Sequence, residues 1–125
     1  MLTKSIKVLV VEDDPFLSKV YQSSFSASGY VMDYAHDGHE ALEHMRTFRP
    51  DIVLLDLVMP RQDGFEVLEL MQQDVSLAGI KVVVLTNLGQ PEDKAKCLSL
   101  GAVDYLVKTD IAIMDLVAKV KEYVG

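Results

Sequence analysis

Short apolar runs alternate along this chain with segments whose apolar residues recur every three to four positions. That switching between two periods constrains the fold more than any other feature of the sequence. Ile6 to Val11, Tyr30 to Ala35, Ile52 to Leu55, Ile80 to Leu85 and Val103 to Val107 read as strands. The first, third and fourth lack the regular polar alternation of a half-exposed strand, as expected of strands buried on both faces. Each is followed by a helix signal. Asp14-Pro15 suits an N-cap and first helical position, with Leu17, Val20, Tyr21, Ser24 and Phe25 on one face and Gly29 at the close. Asp37-Gly38-His39-Glu40 and Asp63-Gly64-Phe65-Glu66 have capping-box spacing. The first precedes a stripe of Ala41, Leu42, Met45 and Phe48; the second opens a helix running to Gln73. Pro91-Glu92-Asp93 starts a fourth helix that ends at Gly101. Ile113, Leu116, Val117, Val120 and Val124 mark a fifth, with Thr109 or Asp110 as its expected cap.

Five strand–helix alternations with short connections imply a parallel α/β sheet covered by helices on both faces. The pattern does not specify the strand order. With 125 residues, the chain is read as one domain, 1–125. No apolar run approaches the roughly 18 residues of a membrane span, and the N-terminus has no secretory signal. The single Cys97 fits a reducing compartment and reads as a small buried residue. A cytoplasmic location and no membrane partner are therefore expected. The formal charge of −7, without a Lys/Arg cluster, argues against direct nucleic-acid binding.

In a parallel sheet all strand C-termini share one edge, where open α/β sheets bind their ligands. The first strand brings Glu12 and Asp13 there, the third Asp56, the fourth Thr86 and the fifth Lys108. Taken singly, each has an ordinary reading: an acidic helix start, a turn former, a β-branched strand end, a solvated charge. Together they describe a chemistry. Converging carboxylates repel one another unless a cation lies among them. Hard oxygen ligands suit Mg²⁺. A lysine and a hydroxyl suit an incoming phosphoryl group, and an aspartate can become an aspartyl phosphate.

These residues carry a resemblance over essentially the full chain. Val10-Val11-Glu12-Asp13, Leu55-Asp56 with Met59-Pro60 and Asp63-Gly64, Val84-Leu85-Thr86, and Gly101 to Lys108 resemble the motifs of response-regulator receiver domains of bacterial two-component signalling. The resemblance implies a flavodoxin-like, doubly wound five-stranded fold with strand order 2-1-3-4-5. It implies phosphorylation of Asp56 by a sensor histidine kinase or phosphotransfer protein. Mg²⁺ would be held by Glu12, Asp13, Asp56 and the backbone carbonyl of Val58. Thr86 and Lys108 would engage the phosphoryl oxygens, and Tyr105 would be the aromatic switch residue. A conformational switch would signal to an unknown downstream protein. The face of the last two helices and the Tyr105 strand, bordered by Lys94, Lys96 and Lys121, is a candidate homodimer or output surface, with a solvated charged surface as the alternative. Neither a dedicated enzyme nor an output domain within the chain is expected.

Two positions depart from the family pattern or bear on its chemistry. Lys108 is followed by Thr109 where receivers usually have a cis proline, and the cost of a non-proline cis bond, about 2.5–4 kcal/mol, predicts a trans peptide. Val58 and Leu88, two residues beyond Asp56 and Thr86, are apolar, which predicts slow hydrolysis. His36, His39 and His44 lack a ligand set and are expected to face solvent. A phosphohydrolase with an aspartyl nucleophile is a second reading, weakened because Val58 stands where such enzymes commonly carry an acid/base Asp. A phosphorylation-independent adaptor is a third.

Overall fold

The computed structural model describes residues 5–60 and 62–124. The ends of the 1–125 domain assignment, residues 1–4 and Gly125, lie outside them, as does Arg61. The elements run β1 (Lys7–Val11), α1 (Pro15–Ala27), β2 (Val31–Ala35), α2 (Gly38–Phe48), β3 (Ile52–Leu55), α3 (Gly64–Gln73), β4 (Lys81–Thr86), α4 (Pro91–Ser99), β5 (Asp104–Val107) and α5 (Ile113–Val124). Short 3₁₀ turns occupy Val75–Leu77 and Lys108–Asp110. All strand pairings are parallel, and the order is β2-β1-β3-β4-β5, as the resemblance implies.

The two-residue period of the strands builds a core on each face. Leu9, Val11, Val53, Leu55, Val82 and Val84 point to one side, against Ala41, Leu42 and Met45 of α2, Val67 and Leu68 of α3 and Cys97 of α4. Val8, Val10, Ile52, Leu54, Val83 and Leu85 point to the other, against Tyr21 and Phe25 of α1 and Leu116, Val117 and Val120 of α5. Cys97 is fully buried, and burial pushes its thiol up to about 11, so it packs as an inert apolar group.

Local caps form largely where the sequence places them. The Asp14 carboxylate accepts from the Phe16 and Leu17 N–H groups, and Asp37 and Asp63 accept from the N–H groups of Glu40 and Glu66. The return bond of the Asp37 box goes one residue further out, because Glu40 accepts from the His36 N–H. Two glycines then press α2 and α3 onto the loop that follows β3. A Cβ on Gly38 would lie 2.4 Å from the Gln62 carbonyl oxygen, and one on Gly64 would lie 2.5 Å from that of Asp56. Side-chain-free helix starts thus set the backbone around Asp56.

Three expectations need correction or refinement. Neither Thr109 nor Asp110 caps α5; both lie in the 3₁₀ turn, Ile111 is extended, and the helix begins at Ile113. Ile111 and Ile113 pack against the α1/α5 core, and that burial delays the helix past its nearest capping residues. His36 and His39 are exposed, but His44 is half-buried, its Nδ1 2.8 Å from Asp33 Oδ2 on β2. Tyr30 precedes β2 rather than opening it; its buried hydroxyl donates to the Val117 carbonyl at 2.9 Å. The Lys108–Thr109 peptide is trans, as predicted.

Candidate phosphoacceptor site

The parallel register gathers the strand-end residues at one rim. β1 and β3 are in step through Val11 and Leu55, and the next N–H groups continue the ladder: Glu12 N–H donates to the Ala35 carbonyl, Asp56 N–H to that of Val11. Glu12 and Asp56 are consequently buried, at 3% and 7% exposure, while Asp13 turns outward where Asp14 starts α1. Glu12, Asp13 and Asp56 each offer a carboxylate oxygen within 4.8 Å of the others'.

One cation answers them. Lys108 Nζ donates to Glu12 Oε1 at 2.5 Å and to Asp56 Oδ2 at 2.9 Å. The second Asp56 oxygen accepts from the Val58 N–H at 3.3 Å. Burial pushes the Glu12 carboxyl up to about 7, against the pull of Lys108. For Lys108 burial acts downward, but the hydrogen bonds to Glu12 and Asp56 outweigh it and the net displacement is upward. Three carboxylates against one ammonium leave the cluster short of positive charge. A hard divalent cation fits that donor set.

Thr86 ends β4 fully buried and pairs with Val107, the residue before Lys108. Its Oγ1 accepts from the Leu88 N–H at 3.4 Å, and no hydrogen bond joins it to the carboxylates. Tyr105 lies inward at 6% exposure and donates its hydroxyl to the Leu88 carbonyl. The end of β4 and the aromatic of β5 are thus tied to the same loop residue. Val58, 60% exposed, and half-buried Leu88 flank the rim with apolar side chains. One neighbour carries no functional signal in the sequence. Tyr21 looks like an ordinary member of the α1 stripe, yet it sits buried in the field of Lys108, Glu12 and Asp56. Nothing in one dimension distinguishes a hydroxyl that meets a site from one that meets a carbonyl.

Residues 8–121 match the response regulator receiver domain family. Among curated proteins, the chain is 34% identical to the DNA-binding dual master transcriptional regulator RpaA of Synechocystis, over 92% of this chain and 47% of that protein. It is 37% identical to the response regulator MprA of Mycobacterium ulcerans, over 94% and 49%. It spans about half the length of these relatives. Among solved structures, the CheY-like receiver domain protein of Methanospirillum hungatei superposes with a TM-score of 0.88 at 25% identity, covering 97% of this chain and 94% of that one. The Francisella response regulator 1452 receiver domain gives 0.85 at 30% identity, covering 94% and 95%. The sheet order, the acidic rim and these matches lead to one conclusion: the chain belongs to the receiver domains of two-component response regulators, a family of signalling modules rather than dedicated enzymes.

Proposed function

We propose that this receiver takes a phosphoryl group onto Asp56 from the phosphohistidine of a sensor kinase or phosphotransfer protein. The observation that carries this reading is the confinement of the Glu12, Asp13 and Asp56 carboxylates within 4.8 Å, with Lys108 bridging two of them. An Asp56 oxygen forms the new bond to phosphorus as the donor's N–P bond breaks, and the electron pair leaves with the imidazole. Glu12, Asp13, Asp56 and the Val58 carbonyl would hold Mg²⁺, which supplies positive charge against the phosphoryl oxygens. The Val58 N–H and the Lys108 ammonium orient the acceptor carboxylate through separate oxygens. Lys108 then meets the new oxygens from the position it already occupies.

The switch follows from the Leu88 contacts. The Thr86 hydroxyl, which accepts from the Leu88 N–H, gains a phosphoryl oxygen to donate to only when phosphate is present, and that differential contact shifts the population. Tyr105, bound to the Leu88 carbonyl, carries the change to β5. There α4, β5 and α5 enclose a cleft of about 480 Å³ bordered by Lys94, Tyr105 and Lys119, the surface for a downstream protein or a second copy. The apolar Val58 and Leu88 leave no side chain to orient an attacking water, so the acyl phosphate is long-lived; Val58→Asn shortens its lifetime. The module works in the cytoplasm. Among the described residues no helix is long and apolar enough to cross a membrane.

Incubation with acetyl phosphate and Mg²⁺ followed by intact-mass measurement tests the proposal. The wild type gains one phosphate and Asp56→Asn gains none. A wild type that stays unmodified, or an Asp56→Asn variant that is modified equally, rejects it.

A further inference from the structure

Tyr21 is 5% exposed, and its hydroxyl makes no hydrogen bond to any described residue. The other tyrosines behave differently. Tyr30, Tyr105 and Tyr123 donate to the Val117 carbonyl, the Leu88 carbonyl and the Asp104 carboxylate, and Tyr34 is 42% exposed to water. Among the described residues no unpaired polar side-chain atom is sealed from solvent, so the Tyr21 hydroxyl keeps some access to water, and Tyr21 lines a cleft. That cleft holds about 280 Å³. Leu17, Leu85, Ile111, Ile113 and Leu116 make its apolar wall, while Tyr21, Asn87, Lys108 and Thr109 bring its polar groups.

Lys108 lines the same cleft. An ammonium carries three N–H donors. Two are committed to Glu12 and Asp56, and no described residue takes the third. A buried water needs two to four polar partners and about one probe sphere of space. Lys108 and Tyr21 both line the cleft, whose volume exceeds that of one water molecule.

We propose that Tyr21 is a positioning residue for the phosphoacceptor site, its hydroxyl holding the third N–H of Lys108 through a bridging water. The aim of Lys108 is then specified from three directions: two carboxylates just past the ends of β1 and β3, and a phenol on α1. Burial holds the Tyr21 hydroxyl protonated past its ordinary range, with Lys108 opposing and Glu12 and Asp56 adding, so it remains a neutral group able to accept from the water and to donate. The inference rests on the role of Lys108 in the proposed phosphorylation, but its geometry can be tested without phosphate.

Tyr21→Phe keeps the ring in the core and removes only the hydroxyl. Two readouts are taken on the full chain. In ¹H–¹⁵N spectra of the lysine ammonium groups, exchange of the Lys108 protons with water accelerates by about fivefold, the scale of one lost water-mediated bond. Phosphorylation by acetyl phosphate with Mg²⁺ slows by about the same factor, and Tyr21→Phe adds no further loss in a Lys108→Ala background. Unchanged Lys108 exchange overturns the proposal, as does an equal rate loss with Lys108 absent. If the wild type accepts no phosphate at all, the phosphoacceptor reading fails, and the exchange measurement alone decides for or against the Tyr21 contact. Matching thermal melts of wild type and Tyr21→Phe separate positioning from a general loss of packing.

Discussion

The two rims of the sheet carry similar residues in opposite conditions. At the rim where strands begin, charges are settled one by one. The Lys7 ammonium donates to the Phe48 carbonyl at 3.1 Å, the Lys7 N–H to Asp51 at 2.9 Å, and the Lys81 ammonium to the Tyr123 carbonyl at 2.5 Å. At the rim where strands end, Glu12 and Asp56 are buried beside Asp13, and one lysine serves two carboxylates. A hollow of about 570 Å³ lies at the first rim, between Ile6, Arg49, Gly79 and Val124, against about 280 Å³ for the cleft that Lys108 lines. Concavity therefore does not single out the candidate site. Like charge held together does, because such an arrangement persists only when the surrounding structure enforces it.

Glycine substitutions break this comparison most severely. Gly64→Ala would drive a methyl into the Asp56 carbonyl oxygen and the Leu57 Cα, neither of which can rotate away. We expect a loss of about 3 kcal/mol in chemical denaturation, with phosphorylation impaired in the remaining folded protein. Gly79→Ala, at the opposite rim, meets no atom within 4 Å and suffers only its φ of +93°. It should cost roughly 1–2 kcal/mol and leave phosphorylation intact. Equal losses of phosphorylation in the two folded variants would contradict the division between rims.

Mg²⁺ titration followed by thermal shift or calorimetry sharpens it next. Asp13→Asn should weaken binding on the order of tenfold or more, since it removes a charged oxygen ligand. Asp51→Asn at the other rim should leave the affinity unchanged. In chelator, Asp56→Asn should stabilise the fold by about 1 kcal/mol, because relief of like-charge repulsion outweighs the bond lost to Lys108. A destabilised Asp56→Asn would show that Lys108 already balances the cluster.

The smallest effect concerns the strand that joins the rims. Burial, with Asp93, Cys97 and Asp56 adding, pushes the Tyr105 phenol up to about 12. The folded chain holds this proton more tightly than the unfolded one, whose tyrosine has a pKa of about 10. That contribution is fully present below about pH 10 and lost as the pH rises through about 12. Denaturation curves at about pH 9 and about pH 11, on either side of the unfolded value, should differ less for Tyr105→Phe than for wild type. Near neutral pH the substitution should cost about 1 kcal/mol, the value of the Leu88 hydrogen bond.

Much of this was legible in one dimension. Asp14-Pro15, Asp37 and Asp63 act on N–H groups two or three residues away, so the residues themselves announce the helix starts. The apolar runs of β1, β3 and β4 announce burial on both faces. Thr109 and Asp110 misled because a good capping residue is only a local preference, and the packing of Ile111 and Ile113 overrode it. The Val75–Leu77 turn was missed for a related reason: its signal is one Asp74 carboxylate accepting from the Ser76 N–H and hydroxyl, which does not stand out beside a helix end.

By itself the sequence determined the parallel α/β class, the helix starts and the set of groups delivered to a common rim, because periodicity and capping act over a few residues. Only the tertiary structure decided what those groups do to one another. Lys108 meets carboxylates 52 and 96 positions away, Tyr105 turns inward to Leu88, and Tyr21 comes to share a cleft with Lys108. Such contacts depend on how whole strands and helices pack, and no short stretch of chain carries that information.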